Sequence, residues 1–283
     1  MGTKPAKLGV LAGGGKLPGL VIQACRESAR PFFVIAFEGQ TPPETVAGHP
    51  HAWVRLGAAG KAIQLLREAG AEELVMAGAI RRPSIGALRP DAWAAKFLAK
   101  TGAMSLGDDG LLTSLIRELE RNEGFRLIGA DDLLPQLLAP MGVYGAEQPD
   151  ERALGDIEEG IRAARAVGAE DAGQAAVVQQ GRVLCVEGKE GTDDMLARAA
   201  EARLNGPGGV LVKVSKPGQE SRADLLTIGE ATVKAARAAG LSGIAVEAGG
   251  TLVVDRAAVV KAADAAGLFV MGVTLPQEQP EER

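Results

Sequence analysis

Leu8-Gly9-Val10-Leu11-Ala12-Gly13-Gly14-Gly15-Lys16-Leu17-Pro18 joins a short apolar run to a glycine cluster and then to Leu17–Ala29, where apolar residues fall at helical spacing. The opening run has no polar alternation, as expected of a strand buried on both faces. The same grammar continues outward. Phe32–Phe37 reads as a second strand, Lys61–Ala69 as a helix stopping at Gly70, and Leu74-Val75-Met76-Ala77-Gly78 as a third buried strand. Helices over Asp91–Lys100 and Leu111–Asn122 follow, then a strand over Phe125–Ile128. Continuous apolar strands separated by amphipathic helices predict an α/β fold whose N-terminal part has a largely parallel sheet and a glycine-rich strand-to-helix loop.

Three prolines and two glycines between Pro135 and Asp150 interrupt this rhythm. The domain boundary is expected at Gly142 to Asp150, dividing the chain into an N-terminal α/β substrate-binding domain, 1–145, and a C-terminal α/β domain, 146–283, that carries the acidic catalytic residues. The second part reads as a helix (Asp150–Val167), two strands turning at Gly181 (Gln174–Gln180 and Arg182–Glu187) and a helix (Thr192–Leu204). A strand (Gly209–Val214), a helix (Thr227–Ala239) and strands at Ile244–Glu247 and Thr251–Val254 complete it. The residues after Val273 read as a polar tail.

Composition narrows the chemistry. The chain has 283 residues, net charge −5 and only 3% aromatic residues, so neither a basic nucleic-acid footprint nor stacking platforms for bases are present. The two histidines, His49 and His51, sit in a Pro/Gly-rich connector, which disfavours a His-rich metal site or a Ser/His/Asp triad. No apolar stretch is long enough for a membrane span, and the first apolar run is too brief for a signal peptide. Two distant cysteines, Cys25 and Cys185, fit a reducing cytoplasm. Charge is uneven: residues 1–145 carry 16 Lys/Arg against 14 Asp/Glu, and residues 146–283 carry 15 against 22. The acidic half is the part suited to a divalent cation, although a solvated acidic helix face gives the same excess.

Candidate chemistry gathers at predicted strand ends. A glycine loop opening a helix suits an anion, yet Pro18 stands where a dinucleotide fingerprint needs glycine, and Leu17 where a P-loop needs Ser or Thr. Gly78-Ala79-Ile80-Arg81-Arg82-Pro83 ends another strand, and its arginines suit a diphosphate. Gly107-Asp108-Asp109-Gly110 opens a helix, where aspartate is first of all a cap. Glu187–Asp194 packs ionisable groups into a strand-to-helix junction. Beyond it Lys213 and Lys216 flank a strand end, and Arg222 and Asp224 are expected on one face of an extended segment. Cations for phosphate oxygens beside a carboxylate for a hard metal are what phosphoryl chemistry requires. On these residues alone, a nucleotide- or NAD-binding oxidoreductase and a non-catalytic acidic-lipid-binding protein stay open.

In their order, Gly13–Pro18, Ala77-Gly78 with Arg82-Pro83-Ser84, Gly107-Asp108-Asp109, Asp171-Ala172-Gly173-Gln174, Glu190-Gly191-Thr192-Asp193 and the stretch from Lys216-Pro217 to Gly229 resemble the LpxI-type UDP-2,3-diacylglucosamine pyrophosphatases over about residues 7–273. The resemblance implies two domains with a ligand cleft between them. It also implies a Mg²⁺-dependent hydrolase of lipid A biosynthesis, releasing UMP and 2,3-diacylglucosamine 1-phosphate by water attack at the β-phosphorus. Carried onto this chain, it implies Asp224, Lys216 and Arg222 as catalytic groups and Asp224, Asp193 and Glu190 as metal ligands. Substrate contacts are implied at Gly13, Gly14, Gly15, Lys16, Leu17, Gly78, Ala79, Arg81, Gln174, Thr192 and Lys213. A cytoplasmic enzyme meeting its lipid substrate and lipid product at the inner face of the inner membrane, and forming a homo-oligomer, fits the same resemblance. One departure stands out: the family usually has proline where this chain has Leu226, which is expected to loosen the entry to the following helix.

Overall fold

The structure, a computed structural model, describes residues 5–81, 88–102 and 108–275. The chain divides into two compact units: Met1–Gln136 with Glu220–Asp224, and Leu137–Gln219 with Leu225–Arg283. The division falls ahead of the expected boundary at 145. Gly142–Val143 is already a strand of the second unit's sheet, because its backbone pairs with Gly272 and Met271.

The first unit opens with β1 (Leu8–Ala12), α1 (Leu17–Glu27), β2 (Phe32–Phe37), α2 (Pro43–Val46) and β3 (His51–Val54). It continues with α3 (Ala59–Glu68), β4 (Glu73–Ala77), α4 (Ala92–Thr101), α5 (Asp108–Arg121), β5 (Arg126–Leu127) and α6 (Ala130–Leu133). Its sheet has the order β3-β2-β1-β4-β5, and every pairing is parallel. Leu8, Val10 and Ala12 are fully buried, as the absence of alternation requires. The order runs outward from β1 in one direction and resumes at β4 in the other, so the sheet's switch point lies between those two strands. His51 stands on the edge strand β3, not in an irregular connector, since Pro50 hands the chain directly into pairing with β2.

The second unit holds β6 (Gly142–Val143), α7 (Glu151–Ala169), β7 (Ala175–Gln179), β8 (Arg182–Val186), α8 (Thr192–Glu201) and β9 (Val210–Lys213). Then come β10 (Leu226–Ile228), α9 (Glu230–Ala238), β11 (Gly243–Glu247), β12 (Thr251–Val253), α10 (Arg256–Ala266) and β13 (Phe269–Val273). Its six-stranded sheet is ordered β6-β13-β11-β9-β7-β8, with β13, β11 and β9 parallel and antiparallel strands on either side; β10 and β12 form a separate parallel pair. Small residues set the helix–sheet distance. At Gly160 of α7 a Cβ would lie 2.3 Å from Val212 Cγ2, so α7 packs against the sheet only because that position lacks a side chain. Asp156, buried on the same helix, accepts the Gln180 and Gly181 N–H groups at 3.0 and 2.6 Å and so closes the turn between β7 and β8.

Leu226 lies in β10, and the helix expected from Thr227 begins at Glu230 instead. Its side chain is fully buried, which contributes about 1.5–3 kcal/mol. The position thus belongs to a strand ahead of the helix, and its leucine packs in the core. Among the described residues no helix is long and apolar enough to cross a membrane.

Candidate active site

The loops leaving β1 and β4 meet at the switch point of the first sheet. Gly13 N–H donates to the Ala77 carbonyl at 2.8 Å, and Gly14 and Ala79 exchange N–H···O bonds at 2.8 and 3.2 Å. The crossing is tight enough to dictate glycine. A Cβ at Gly13 would sit 2.6 Å from the Ala79 oxygen, and one at Gly78, where φ is +87°, would sit 2.3 Å from the Gly14 oxygen. The loop after β2 joins them. The Gln40 side-chain amide donates to the Arg81 carbonyl at 3.2 Å and accepts its N–H at 2.9 Å, while the buried Thr41 hydroxyl donates to the Ala12 carbonyl at 2.5 Å.

Gly13, Gly14, Gly78 and Ala79 thus have backbone roles inside the chain. Gly15, Lys16 and Leu17 form the entry to α1, and Arg81 has an anchored backbone and an exposed side chain. Gln40 and Thr41 are additions that no sequence motif marked. Arg82, Pro83, Ser84 and Gly107 lie outside the described residues, as does the expected tail from 276 onward. Asp109 sits in the first turn of α5 and accepts the Glu220 N–H at 3.4 Å.

In the second unit, polar side chains collect where β8, β9 and β11 end and β7 begins. Lys213, the last residue of β9, is buried, and its ammonium donates to the Thr192 hydroxyl at 3.0 Å. Thr192, opening α8, donates in turn to the buried Glu187 carboxylate, whose second oxygen accepts the Gln174 N–H at 2.9 Å. Lys216 pairs directly with Asp171 at 2.6 Å. Glu247 accepts both the N–H and the hydroxyl of Ser215, at 2.8 and 2.5 Å, and Gln219 links the Lys216 N–H to the Gln174 amide. Four expected site residues, Gln174, Thr192, Lys213 and Lys216, therefore belong to one cluster. Glu187 opens the ionisable stretch noted in the sequence, while Glu247 is unmarked there; each is the first charged residue after an apolar strand run, a signal the sequence carries.

Arg222 and Asp224 do not lie on an extended segment. The Glu220 carbonyl accepts the Ala223 and Asp224 N–H groups at 3.1 and 3.2 Å and winds the stretch into a turn. This turn groups with the first unit, so the two residues are not part of the second unit as the expected domain division had them. Arg222 forks onto both oxygens of Glu220 at 2.8 Å and reaches Glu120 of α5 at 2.7 Å. Hydrogen bonds from Arg222 hold the Glu220 carboxyl below the ordinary glutamate range; Glu220 and then Glu120 push the guanidinium's own value up. Asp224 is half-buried beside this clamp.

Glu190 and Asp193 are exposed, Asp193 in the first turn of α8, where its charge favours the helix N-terminus. They belong to the second unit and Asp224 to the first. Among the described residues no group of three or more His, Cys, Asp or Glu side chains is arranged to hold a metal. A Mg²⁺ carried by one carboxylate together with substrate phosphates and water needs no such group.

The descriptions "LpxI N-terminal domain" and "LpxI C-terminal domain" match residues 7–137 and 140–271. The chain is 43% identical over 281 residues to the UDP-2,3-diacylglucosamine pyrophosphatase LpxI of Caulobacter vibrioides, covering 97% of this chain and 99% of that protein. Among solved structures, an N5-carboxyaminoimidazole synthase from Aspergillus clavatus aligns at 15% identity over 72% of this chain and 45% of that one, with a TM-score of 0.25, too low to bear on fold or site.

Proposed function

The chain belongs to the LpxI family, and we propose that it hydrolyses the pyrophosphate of UDP-2,3-diacylglucosamine to UMP and 2,3-diacylglucosamine 1-phosphate, the reaction of that family in lipid A biosynthesis. The observation that carries this reading is the near-complete coverage, on both sides, of the match to a relative named for that activity. Within the second unit, a polar cluster containing two lysines at strand ends is of a kind that suits phosphate oxygens.

Asp224 would hold Mg²⁺ with oxygens of the diphosphate, and the bound ion would offset the diphosphate's charge. In the second unit Lys213 is the candidate to neutralise diphosphate oxygens as charge develops on the departing UMP, and Lys216, held by Asp171, is the secondary one. Arg222 acts through the turn it fixes: with its fork on Glu220 and its reach to Glu120, it holds Asp224's segment in place. Glu190 and Asp193 are secondary candidates for the ion. The substrate is a lipid, so the protein works at a membrane or micelle surface without a span of its own.

The test is UMP release from UDP-2,3-diacylglucosamine in detergent micelles, with Mg²⁺ and with EDTA. Release with Mg²⁺ and at least a hundredfold loss in EDTA is expected. Asp224→Ala should lower kcat by about 10²–10³-fold while substrate is still retained. Asp224→Ala turnover within a few-fold of the parent would remove the assignment, and undiminished release in EDTA would remove the metal.

A further inference from the structure

We propose that Glu187 is a positioning residue: acting through the Thr192 hydroxyl, it aims the Lys213 ammonium at an anionic oxygen of the substrate's diphosphate. The proposal rests on the function given above.

Donor and acceptor chemistry fixes the direction of the chain Lys213–Thr192–Glu187. A carboxylate only accepts, so the single Thr192 hydroxyl proton goes to Glu187. The Thr192 lone pairs are then left for the Lys213 ammonium, 3.0 Å away. Glu187 is itself immobilised. Its N–H donates to Ala175 at 2.8 Å and its second carboxylate oxygen accepts the Gln174 N–H. Gly173 packs so close that a Cβ there would be 2.3 Å from the Glu187 carbonyl oxygen.

Lys213 is only 9% exposed, and Glu187 6%. An ammonium has three N–H groups, and among the described residues Thr192 is the one hydrogen-bond partner of this one; no carboxylate lies within 4 Å of it. A buried cation left so is costly unless an anion completes its shell. Lys216 is the contrast, since Asp171 meets it directly. Interposing a hydroxyl between Glu187 and Lys213 fixes the ammonium's direction while leaving its charge available to a second anion.

The experiment compares Glu187→Gln, Thr192→Val and Thr192→Ser with the parent, reading kcat and KM for UMP release and, by calorimetry, affinity for inorganic pyrophosphate. Glu187→Gln turns an acceptor into a donor at Thr192, and Thr192→Val removes the hydroxyl at nearly constant volume. Each should lower kcat/KM by about 10–100-fold and weaken pyrophosphate binding about tenfold. Thr192→Ser should recover most of what Thr192→Val loses. In a Lys213→Met background Glu187→Gln should cost nothing further.

Parental kcat/KM and pyrophosphate affinity in both Glu187→Gln and Thr192→Val overturn the proposal. So does a Thr192→Ser protein as impaired as Thr192→Val, which would mean packing alone. If Glu187→Gln fails to fold, the two Thr192 variants carry the decision. A parent protein that releases no UMP overturns the proposed function instead. Pyrophosphate affinity then decides positioning: tenfold weaker in the variants supports it, and unchanged refutes it.

Discussion

Gly78 and Gly15 both have positive φ, +87° and +84°, but their surroundings differ. At Gly78 a Cβ would lie 2.3 Å from the Gly14 oxygen and 2.9 Å from Pro18 Cγ, whereas at Gly15 nothing lies within 4 Å. Alanine at Gly15 pays only the left-handed backbone, about 1–2 kcal/mol. Alanine at Gly78 pays that and must also part the two loops, so we expect about 3 kcal/mol or more in urea unfolding and a disrupted loop crossing. Equal losses at the two positions would show that the crossing is not close-packed. The glycine clusters are conspicuous in the sequence, but which glycine serves packing and which leaves backbone open to a ligand depends on a neighbour some sixty-five residues away. That reason is also why Glu187 could not be tied to Lys213 beforehand: a strand and a helix separate them in the chain, and only sheet order brings them together.

Among elements, β1, β2 and β4 are legible because burial on both faces leaves an unbroken apolar run. β3 is not, because His51-Ala52-Trp53-Val54 is a half-exposed edge strand whose composition resembles a connector. Three-residue β10 is too short to show a period and is absorbed into the helix expected after it. α10 buries only Val259 and Ala263 along an alanine-rich surface, so its stripe is faint and the sequence reading leaves it unassigned together with β13. The turn Glu220–Asp224 reads as extended for another reason. Beyond its own Glu220 carbonyl bonds, it is held by Glu120 gripping Arg222 across about a hundred residues, a contact that no local signal shows. This clamp has a pH signature. Because Glu220's carboxyl is held below its ordinary value when folded, the clamp is fully present above that ordinary value and is lost as pH falls through the lowered one. The side-chain carboxyl ¹³C resonance of Glu220 should therefore titrate below the ordinary glutamate range, and Arg222→Met should return it toward that range. Ordinary titration in the parent protein would mean the fork does not persist in solution.

Over the whole molecule, one compact unit is built from two separate pieces of chain: the first 136 residues and a five-residue turn from much later in the sequence. Ala223 packs against the core formed by Ile35, Leu74, Ile116 and Leu119, and Arg222 ties the same turn to α5, so this unit's stability depends on residues encoded inside the other's stretch. The two tryptophans, Trp53 and Trp93, both lie in the first piece. Trp93 stacks on Phe97 with ring centroids 5.5 Å apart, and its indole N–H donates to Glu123 at 2.7 Å, so its emission reports that unit's packing. Arg222→Met leaves Glu120 and Glu220 facing each other without their shared cation, at a cost of about 1–2 kcal/mol for a partly exposed network. With a urea slope of about 2 kcal/mol/M, the tryptophan-detected midpoint should fall by about 0.5–1 M. Arg182→Met, which alters an exposed arginine on β8, should leave that midpoint in place. If Arg222→Met also left it in place, the turn would belong energetically to the second unit, and Asp224 would have to be fixed by contacts other than the Glu220–Arg222–Glu120 clamp.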